Sequence, residues 1–365
     1  MKGYVHRGVV QKNGVVDTLQ SINDALALRV SPEDDRFHLT GPEIGNFEWW
    51  YFDVLDANSG CALKIVAHLG TDPLRRRFFP QVTVSVRTPA KKYSFVKHYS
   101  LEDFSASSAF CDVRIQEDFH AQSRDEDERY HLEASIDRFR CKFTFVREIE
   151  GWKPLGNSVR VERKGRRGTF CWIIPVPKAR VMGEFSLGNE RYVLDEAFGY
   201  HDHNYWEAGP GKKLYMDDVL SHWHWGRFLS RDDTIVFMDT YLKKAPIRSI
   251  MIGRGDKIIH SSNNLIDVSF NDLKEDEQIK TSYPSKILVR SLEENNPFQM
   301  ILTSKEMVDK RDLLEGLNPF LAWLIKLLIS KPAYYGILAD ATTKLADKEI
   351  TGTALYEVMS FRNKY

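Results

Sequence analysis

Two short aromatic segments carry the side chains of this chain that are best suited to chemistry. The first is residues 199–206, with the sequence Gly-Tyr-His-Asp-His-Asn-Tyr-Trp, and the second is residues 47–53, with the sequence Phe-Glu-Trp-Trp-Tyr-Phe-Asp. Together they combine imidazole, carboxyl and carboxamide groups with a high density of aromatic rings. A few polar groups among large apolar ones are typical of buried catalytic or binding sites.

The alternation of a β-strand divides the polar residues of the first segment into two pairs. Successive side chains point to opposite faces, so His201 and His203 share one face while Asp202 and Asn204 share the other. Asp202 is therefore a candidate proton donor beside an amide that orients it. Burial among aromatic rings favours the neutral form of a carboxyl group, as a catalytic acid at neutral pH requires. Alternatively, His201 and Asp202 satisfy backbone groups at a tight strand end.

The second segment is aromatic on both faces of its predicted strand. By alternation its residues form two sets: Glu48, Trp50 and Phe52, and Trp49, Tyr51 and Asp53. Such a strand is expected in a barrel wall that packs a core on one side and lines an apolar cavity on the other. Plain core packing is the alternative, but it explains the two acidic residues less well, because a buried acid needs a partner.

A third segment, residues 221–227, repeats the pattern with two histidines on one face and two tryptophans on the other. His222 and His224, with His201 and His203, make two His-x-His pairs that could bind zinc, iron or copper. No carboxylate or thiol motif stands close by in the sequence, apart from the pair at residues 217–218. The same spacing also occurs where imidazoles bond a neighbouring strand, so we predict no metal and no other cofactor.

Composition restricts the class of protein. The chain has 365 residues, of which 42% are hydrophobic and 12% aromatic, so it can bury the cores of two domains. The formal net charge is zero, which gives no reason to expect nucleic acid as a partner. Four cysteines are scattered without a CxxC pair, as in a reduced cytoplasmic protein. The first residues form no apolar run long enough for a signal peptide, so export is not expected, and no apolar run of about 18 residues occurs.

The rhythm of the chain predicts a mainly β protein with two antiparallel β-barrel domains and a few helices. Short apolar or alternating runs recur between clusters of Gly, Asn, Asp and Pro. We place a lead-in segment at residues 1–35, an N-terminal domain at 36–182 and a C-terminal domain at 183–365. Pro175 and Pro177 mark the break, since proline interrupts strand pairing.

One helix is predicted at residues 319–329. Asn318 and Pro319 suit its N-terminus, and Pro332 lies beyond its end. The segment Phe320–Ile329 is apolar almost all round, so we expect it to be buried against the second barrel, with peripheral contact to a membrane interface as the alternative. No protein partner is predicted.

The motifs resemble the signature blocks of a known superfamily. Residues 48–53, residues 199–206 and the pattern Trp223-x-Trp225-x-Arg227 are similar, in type and order, to blocks of the carotenoid 1,2-hydratase (hydroxyneurosporene synthase) and AttH-like superfamily. That group also includes fungal lipocalin-type Diels–Alderases. The resemblance implies two lipocalin-like β-barrel domains and an apolar pocket for a polyene or terpenoid.

The resemblance also assigns roles to residues. It implies that Asp202 is the proton donor and that His201, His203 and Asn204 support it. The residues expected to bind the substrate are Glu48, Trp50, Tyr51, Tyr200, Trp206, Trp223, Trp225 and Arg227.

The favoured hypothesis is an enzyme that protonates an alkene of an apolar isoprenoid or polyene. Aromatic rings would stabilise the carbocation, and water or an internal alkene would quench it, giving hydration or cyclisation. One alternative is a pericyclic cyclase of the Diels–Alderase type, which needs shape but no acid. The others are a carrier of a lipid or pigment, which does not change its ligand, and a metal-dependent oxygenase that uses the four histidines.

Overall fold

Antiparallel β-sheets form both halves of the protein. The computed structural model describes residues 7–8, 19–20, 29–72, 77–124, 128–242, 245–314 and 332–360. The chain divides into two compact units, Met1–Met216 and Asp217–Tyr365. No helix in the described ranges is both long and apolar enough to cross a membrane.

The first unit contains a small ladder and a large sheet. Its strands are β1 (Arg7–Gly8), β2 (Leu19–Gln20), β3 (Phe47–Asp56), β4 (Cys61–Asp72), β5 (Arg77–Arg87), β6 (Lys92–His98), β7 (Phe104–Ala106), β8 (Asp112–Ile115), β9 (Phe119–Arg124), β10 (Arg129–Ile136), β11 (Phe139–Arg147), β12 (Ser158–Arg163), β13 (Arg166–Leu187) and β14 (Glu190–Ala208). Short 3-10 helices lie at Pro32–Asp35, Leu101–Asp103 and Pro154–Asn157. β1 pairs with β2. The large sheet has the order β6-β5-β4-β3-β14-β13-β11-β10-β9-β8-β7, and β12 pairs with β13.

This large sheet curls around an apolar core. Phe95 on β6 and Phe139 on β11 are far apart in the strand order, yet their ring centroids are 6.3 Å apart. Both rings belong to one buried cluster, which also includes Trp50 and Phe52 of β3. We call the face that carries these residues the core face and the opposite one the outer face.

The second unit repeats this architecture with nine strands. They are β15 (Leu220–Leu229), β16 (Asp233–Leu242), β17 (Ala245–Arg254), β18 (Lys257–Asn263), β19 (Ile266–Asp276), β20 (Thr281–Ser291), β21 (Phe298–Asp312), β22 (Ala333–Leu345) and β23 (Lys348–Ser360). Their order is β18-β17-β16-β15-β23-β22-β21-β20-β19, and a 3-10 helix at Met216–Asp218 precedes them. The sheet also curls, because the rings of His224 on β15 and Phe270 on β19 lie 4.3 Å apart.

These features confirm the predicted β class, but the predicted domain boundaries differ from those of the structure. The predicted break between residues 182 and 183 lies inside β13, whereas the two units divide after Met216. Pro175 and Pro177 lie within β13, where bulges shift its pairing with β14 and allow the strand to continue. The predicted lead-in also ends too late, because Asp35 is a buried residue of the first unit. The helix predicted at residues 319–329 lies outside the described residues.

Candidate active site

The register of β3 and β14 determines which polar groups meet. Asp202 lies directly opposite Tyr51, and His203 lies opposite Trp50. Opposed residues of two strands share a face, so these two pairs project to opposite sides of the sheet. The His203 ring stacks on Trp50 with centroids 4.6 Å apart, which places His203 on the core face. The predicted alternation is confirmed, and Asp202 is on the outer face.

Three hydrogen-bond donors converge on the Asp202 carboxyl group. Trp172 Nε1 donates to Oδ2 over 3.0 Å, and the Tyr200 hydroxyl donates to the same oxygen over 2.8 Å. Asn204 Nδ2 donates to Oδ1 over 2.8 Å. Asp202 itself is 3% exposed, so these bonds form away from water. A buried carboxyl group with three donors is equipped to hold a negative charge.

A bulge in β13 lies next to one of these donors, Trp172, and supplies its aromatic support. Around Pro175, which has no N–H to give to β14, the pairing slips. Ile174 instead exchanges backbone hydrogen bonds of 2.8 and 2.9 Å with Trp152. The ring of Trp152 thereby lies edge-on to Trp172, with centroids 6.1 Å apart. The irregularity therefore adds a second indole beside the donor to Asp202.

Other predicted substrate-binding residues share the outer face with Asp202. Tyr51 contacts Tyr200 edge-on with ring centroids 6.0 Å apart. Trp206 is fully buried and donates from Nε1 to the Leu214 carbonyl oxygen over 3.0 Å. Its ring fills the space beside Gly168, where an added Cβ would lie 2.1 Å from the indole. The structure thus groups Tyr51, Tyr200 and Trp206 on one face with Asp202.

The core face carries a second polar cluster, centred on Asp35. His203 Nδ1 lies 3.0 Å from Asp35 Oδ1, and His201 Nε2 lies 3.1 Å from Oδ2. The Tyr130 hydroxyl donates to Oδ2 over 2.8 Å. His201 Nδ1 is 2.9 Å from the backbone oxygen of Tyr51. The carboxylate of Asp35 therefore joins both histidines of the motif.

Glu48 completes this cluster from β3. Its Oε1 lies 2.8 Å from His203 Nε2, and its carboxylate also accepts the backbone N–H groups of His38 and Leu39. Because His203 faces a carboxylate at each ring nitrogen, and carboxylates only accept, both nitrogens donate. His203 is an imidazolium between Asp35 and Glu48.

The pKa values of the cluster agree with this charge pattern. Burial lowers the pKa of His203, but its hydrogen bonds to Asp35 and Glu48 and their charges outweigh burial and raise it to about 9. Burial raises the pKa of Asp35, but the charges and hydrogen bonds of His201 and His203 hold it well below its usual range. For Glu48, burial is likewise outweighed by hydrogen bonds from His203 and His38, which lower the pKa.

Part of the predicted site was wrong, because its residues are divided between the two faces of the sheet. His201 and His203 were expected to support Asp202, but they lie on the core face, bonded to Asp35 and Glu48 instead. Asn204 alone of the predicted supports bonds Asp202. Glu48 and Trp50, expected to bind substrate, also belong to the core face, since they bond and stack on His203. The strict alternation of β14 causes this separation.

The remaining predicted residues, Trp223, Trp225 and Arg227, lie in the second unit and are buried. On β15 they alternate with Phe228, which belongs to the buried core of the second unit, so they share the opposite, outer face of this sheet. Trp225 Nε1 donates to Glu357 Oε2 over 2.8 Å, and the Tyr334 hydroxyl bonds Oε1 of the same carboxylate. Glu357 thus has an indole and a phenol donor, as Asp202 has in the first unit.

Groups that could hold a metal ion differ from the four histidines of the alternative metal hypothesis. Within the described residues, two sets of three ligand atoms lie close enough for one ion: Asp35, Cys111 and His201, and His38, Glu48 and His203. The carboxylate and imidazole atoms of both sets are engaged in the hydrogen bonds of the core-face cluster. In the second unit, His224 Nδ1 lies 3.6 Å from Asp239.

The two curled antiparallel units define a two-domain lipocalin-like β protein.

No known family profile matches the sequence, and no curated protein matches it. Solved structures similar to this chain include the following three. CghA, solved with Sch210972, is 11% identical over 93% of this chain and 99% of that chain, with a TM-score of 0.60. Kievitone hydratase from Nectria haematococca is 13% identical over 92% and 94%, with a TM-score of 0.59. An AttH-like protein from Nitrosomonas europaea is 13% identical over 86% and 92%, with a TM-score of 0.60.

These similarities establish the fold. The prediction of two lipocalin-like β domains, and the resemblance that implied them, are confirmed at that level. The neighbours include kievitone hydratase, so a hydratase is among the proteins with this fold.

Several residues of the site were missed from the sequence. Asp35 lies in a polar stretch that precedes the first large strand, and nothing in its spacing links it to His201. Trp172 belongs to an apolar run that reads as ordinary core. Glu357 lies 132 residues after Trp225, whose indole donates to it. Only the register of neighbouring strands reveals what each of them contacts.

Proposed function

We propose that this protein is an enzyme that protonates a carbon–carbon double bond of an apolar isoprenoid or polyene and completes a hydration or cyclisation. The observation that carries the proposal is the Asp202 site, in which a nearly buried carboxyl group meets three donors among aromatic rings. Alkenes are weak bases, so their protonation requires an acid whose conjugate base is strongly stabilised.

The three donors provide that stabilisation when it is needed. As the Asp202 proton moves to the alkene, negative charge develops on the carboxyl oxygens, and the bonds from Trp172, Tyr200 and Asn204 become charge-assisted. Hydrogen bonds to charged groups contribute about 1.5–3 kcal/mol each, roughly twice as much as neutral ones. Because the gain appears only as charge develops, it lowers the barrier rather than tightening substrate binding.

The aromatic residues of the outer face suit the carbocation that forms when the alkene takes the Asp202 proton. A carbocation over an aromatic ring is stabilised by the ring quadrupole, and exclusion of bulk water prevents premature quenching. The rings that lie around the carboxyl group and would take this role are those of Tyr51, Tyr200 and Trp172. Deprotonation of the product-forming intermediate returns the proton to Asp202 and completes the cycle.

The names of the structural neighbours support the reaction class. One is a hydratase, and addition of water to an alkene is the hydration outcome of the proposed mechanism. The apolar character of the substrate rests on the aromatic surroundings of Asp202 and on the resemblance. A cytoplasmic location, and contact of Phe320–Ile329 with a membrane interface, remain predictions.

Product analysis of matched variants tests the proposal. Wild type, Asp202→Asn and the control Asp256→Asn, at an exposed turn after β17, are incubated with farnesene, geranylgeraniol, squalene and lycopene in D2O. We expect deuterium in the wild-type products, with a mass gain of one water or an isomeric mass. Loss of the acid should reduce the rate by roughly 10²–10⁴-fold, while the control is unchanged.

Other outcomes exclude the acid mechanism. Cyclised products without deuterium, formed equally by Asp202→Asn, indicate a pericyclic enzyme that acts through shape. Tight binding of these lipids without any product indicates a carrier. Either result refutes a catalytic role for Asp202 with these substrates.

A further inference from the structure

The amide of Asn204 has one satisfied end and one unsatisfied end. Its Nδ2 donates to Asp202 Oδ1, but its Oδ1 has no hydrogen-bond partner among the residues that the structure describes. Asn204 is 1% exposed, so bulk solvent does not reach this oxygen. Rotating the amide by half a turn does not remove the problem, because the nitrogen then lacks an acceptor.

A buried polar atom without a partner destabilises the fold and is rare in native proteins. The unsatisfied atom belongs to the same side chain that bonds the proposed acid, on the same face of β14. This coincidence indicates a ligand that brings a hydrogen-bond donor to the site.

We propose that Asn204 holds the water molecule that ends the reaction, which makes the protein a hydratase rather than a cyclase. The inference rests on the proposed function and deepens it. The water donates one hydrogen to Asn204 Oδ1 and directs its oxygen lone pair at the cationic carbon. Since Asn204 also bonds Asp202, one amide positions both the acid and the nucleophile.

The reaction balances with these groups alone. The π electrons of the alkene form a C–H bond with the Asp202 proton, which leaves a tertiary cation and a carboxylate. The water oxygen forms the C–O bond, and the resulting oxonium ion releases a proton to the Asp202 carboxylate. The net change is alkene plus water to alcohol, and the enzyme returns to its starting state.

A structural water in the same place would have different consequences. It would stabilise the fold without affecting how the cation is quenched. Removing the acceptor would then change the stability of the protein but leave the ratio of alcohol to rearranged products unaltered. The ratio therefore separates the two roles, and a stability measurement does not.

The test follows two isotopes in one incubation. Squalene and farnesene are supplied to the full chain in D2O enriched in ¹⁸O. Deuterium on carbon reports protonation, and ¹⁸O in the product reports capture of water. The variants are Asn204→Leu, which lacks the acceptor, and Asn204→Asp, which keeps an acceptor oxygen. The control is Thr343→Val on the core face of β22, which removes another buried, unsatisfied oxygen.

We expect wild type and Thr343→Val to give alcohol that carries both isotopes. Asn204→Leu should still incorporate deuterium, but its ¹⁸O content should fall roughly tenfold as isomerised or cyclised products replace the alcohol, since one lost hydrogen bond to the nucleophile is worth about that factor. Asn204→Asp should retain most of the ¹⁸O. If Asn204→Leu does not fold, Asn204→Ala removes the same acceptor without added bulk.

The results distinguish two kinds of failure. Absence of deuterium from wild-type products refutes the proposed function itself. Deuterium without ¹⁸O in wild type, or an unchanged ¹⁸O fraction in the variants that lack the acceptor, refutes the role of Asn204 and leaves alkene protonation standing.

Discussion

The imidazolium of His203 should make the first unit progressively less stable at alkaline pH. Its pKa rises from 6.5 to about 9 on folding, because Asp35 and Glu48 accept hydrogen bonds from its two ring nitrogens. A group whose pKa is raised in the folded state stabilises it fully below the unfolded pKa. That stabilisation is lost as the pH rises through the folded pKa.

The size of this effect follows from the two pKa values. At about 1.4 kcal/mol per pH unit, a rise from 6.5 to about 9 corresponds to about 3–4 kcal/mol of unfolding free energy. The loss should begin near pH 6.5 and be complete slightly above pH 9. The lowered pKa values of Asp35 and Glu48 act at the other end of the scale, where their contribution disappears as the pH falls. The alkaline loss and the acid loss arise from the same ion pairs, so the two free energies are not added.

Urea unfolding followed by tryptophan fluorescence measures this loss. Five of the eight tryptophans lie in the first unit, so the signal reports mainly its unfolding. Wild type and His203→Gln are compared from about pH 6 to about pH 10, with the variant expected to be less stable at the acid end and nearly independent of pH. The control is His120→Gln, since His120 pairs with Asp112 over 3.0 Å at a partly exposed position.

The result that refutes this reasoning is specific. If His203→Gln loses stability between pH 6.5 and pH 9 as steeply as wild type does, another group causes the decline. A flat wild-type curve over the same range means that His203 is not held as an imidazolium. His120→Gln should run parallel to wild type, because a partly exposed pair contributes little.

Two further substitutions test the outer face. Trp172→Phe removes one donor to Asp202 and should slow deuterium incorporation by roughly tenfold or more, since a charge-assisted hydrogen bond contributes about 1.5–3 kcal/mol. Equal initial rates for wild type and Trp172→Phe would contradict the role of this indole as a donor. Gly168→Ala places a Cβ 2.1 Å from the Trp206 ring and should destabilise the first unit by about 1–3 kcal/mol in urea. Gly41→Ala, with nothing within 4 Å of its Cβ, is the control, and the same midpoint for both variants would disprove the packing argument.

The division of polar residues between the two faces was predictable because the period of a strand is fixed by its geometry. His203 and Asp202 had to point in opposite directions once residues 199–206 formed a strand. The sequence does not say which strand lies alongside, however. The pairing of β14 with β13 brings Trp172 to Asp202, and a shift of one residue would have turned that indole to the core face.

Asp35 illustrates what pattern reading misses. It lies in the acidic run Pro32–Asp35, which looks like an exposed segment, yet it is 1% exposed and bonds both histidines. Its partners follow it by more than 160 residues, and no local periodicity expresses so distant a contact. The domain boundary failed for a related reason, since Pro175 breaks one pairing but leaves a long strand intact through a bulge.

The distance along the chain between Asp35 and its partners also bears on synthesis. Asp35 and Glu48 precede His203 by 168 and 155 residues, and β3 has β14 as the neighbour on one of its edges. At translation rates of about 5–20 residues per second, β14 emerges roughly 8–30 s after β3. Throughout that interval the aromatic strand has an open edge of the kind that templates aggregation. The nascent first unit therefore exposes this unpaired edge until β14, which ends at residue 208, has left the ribosome.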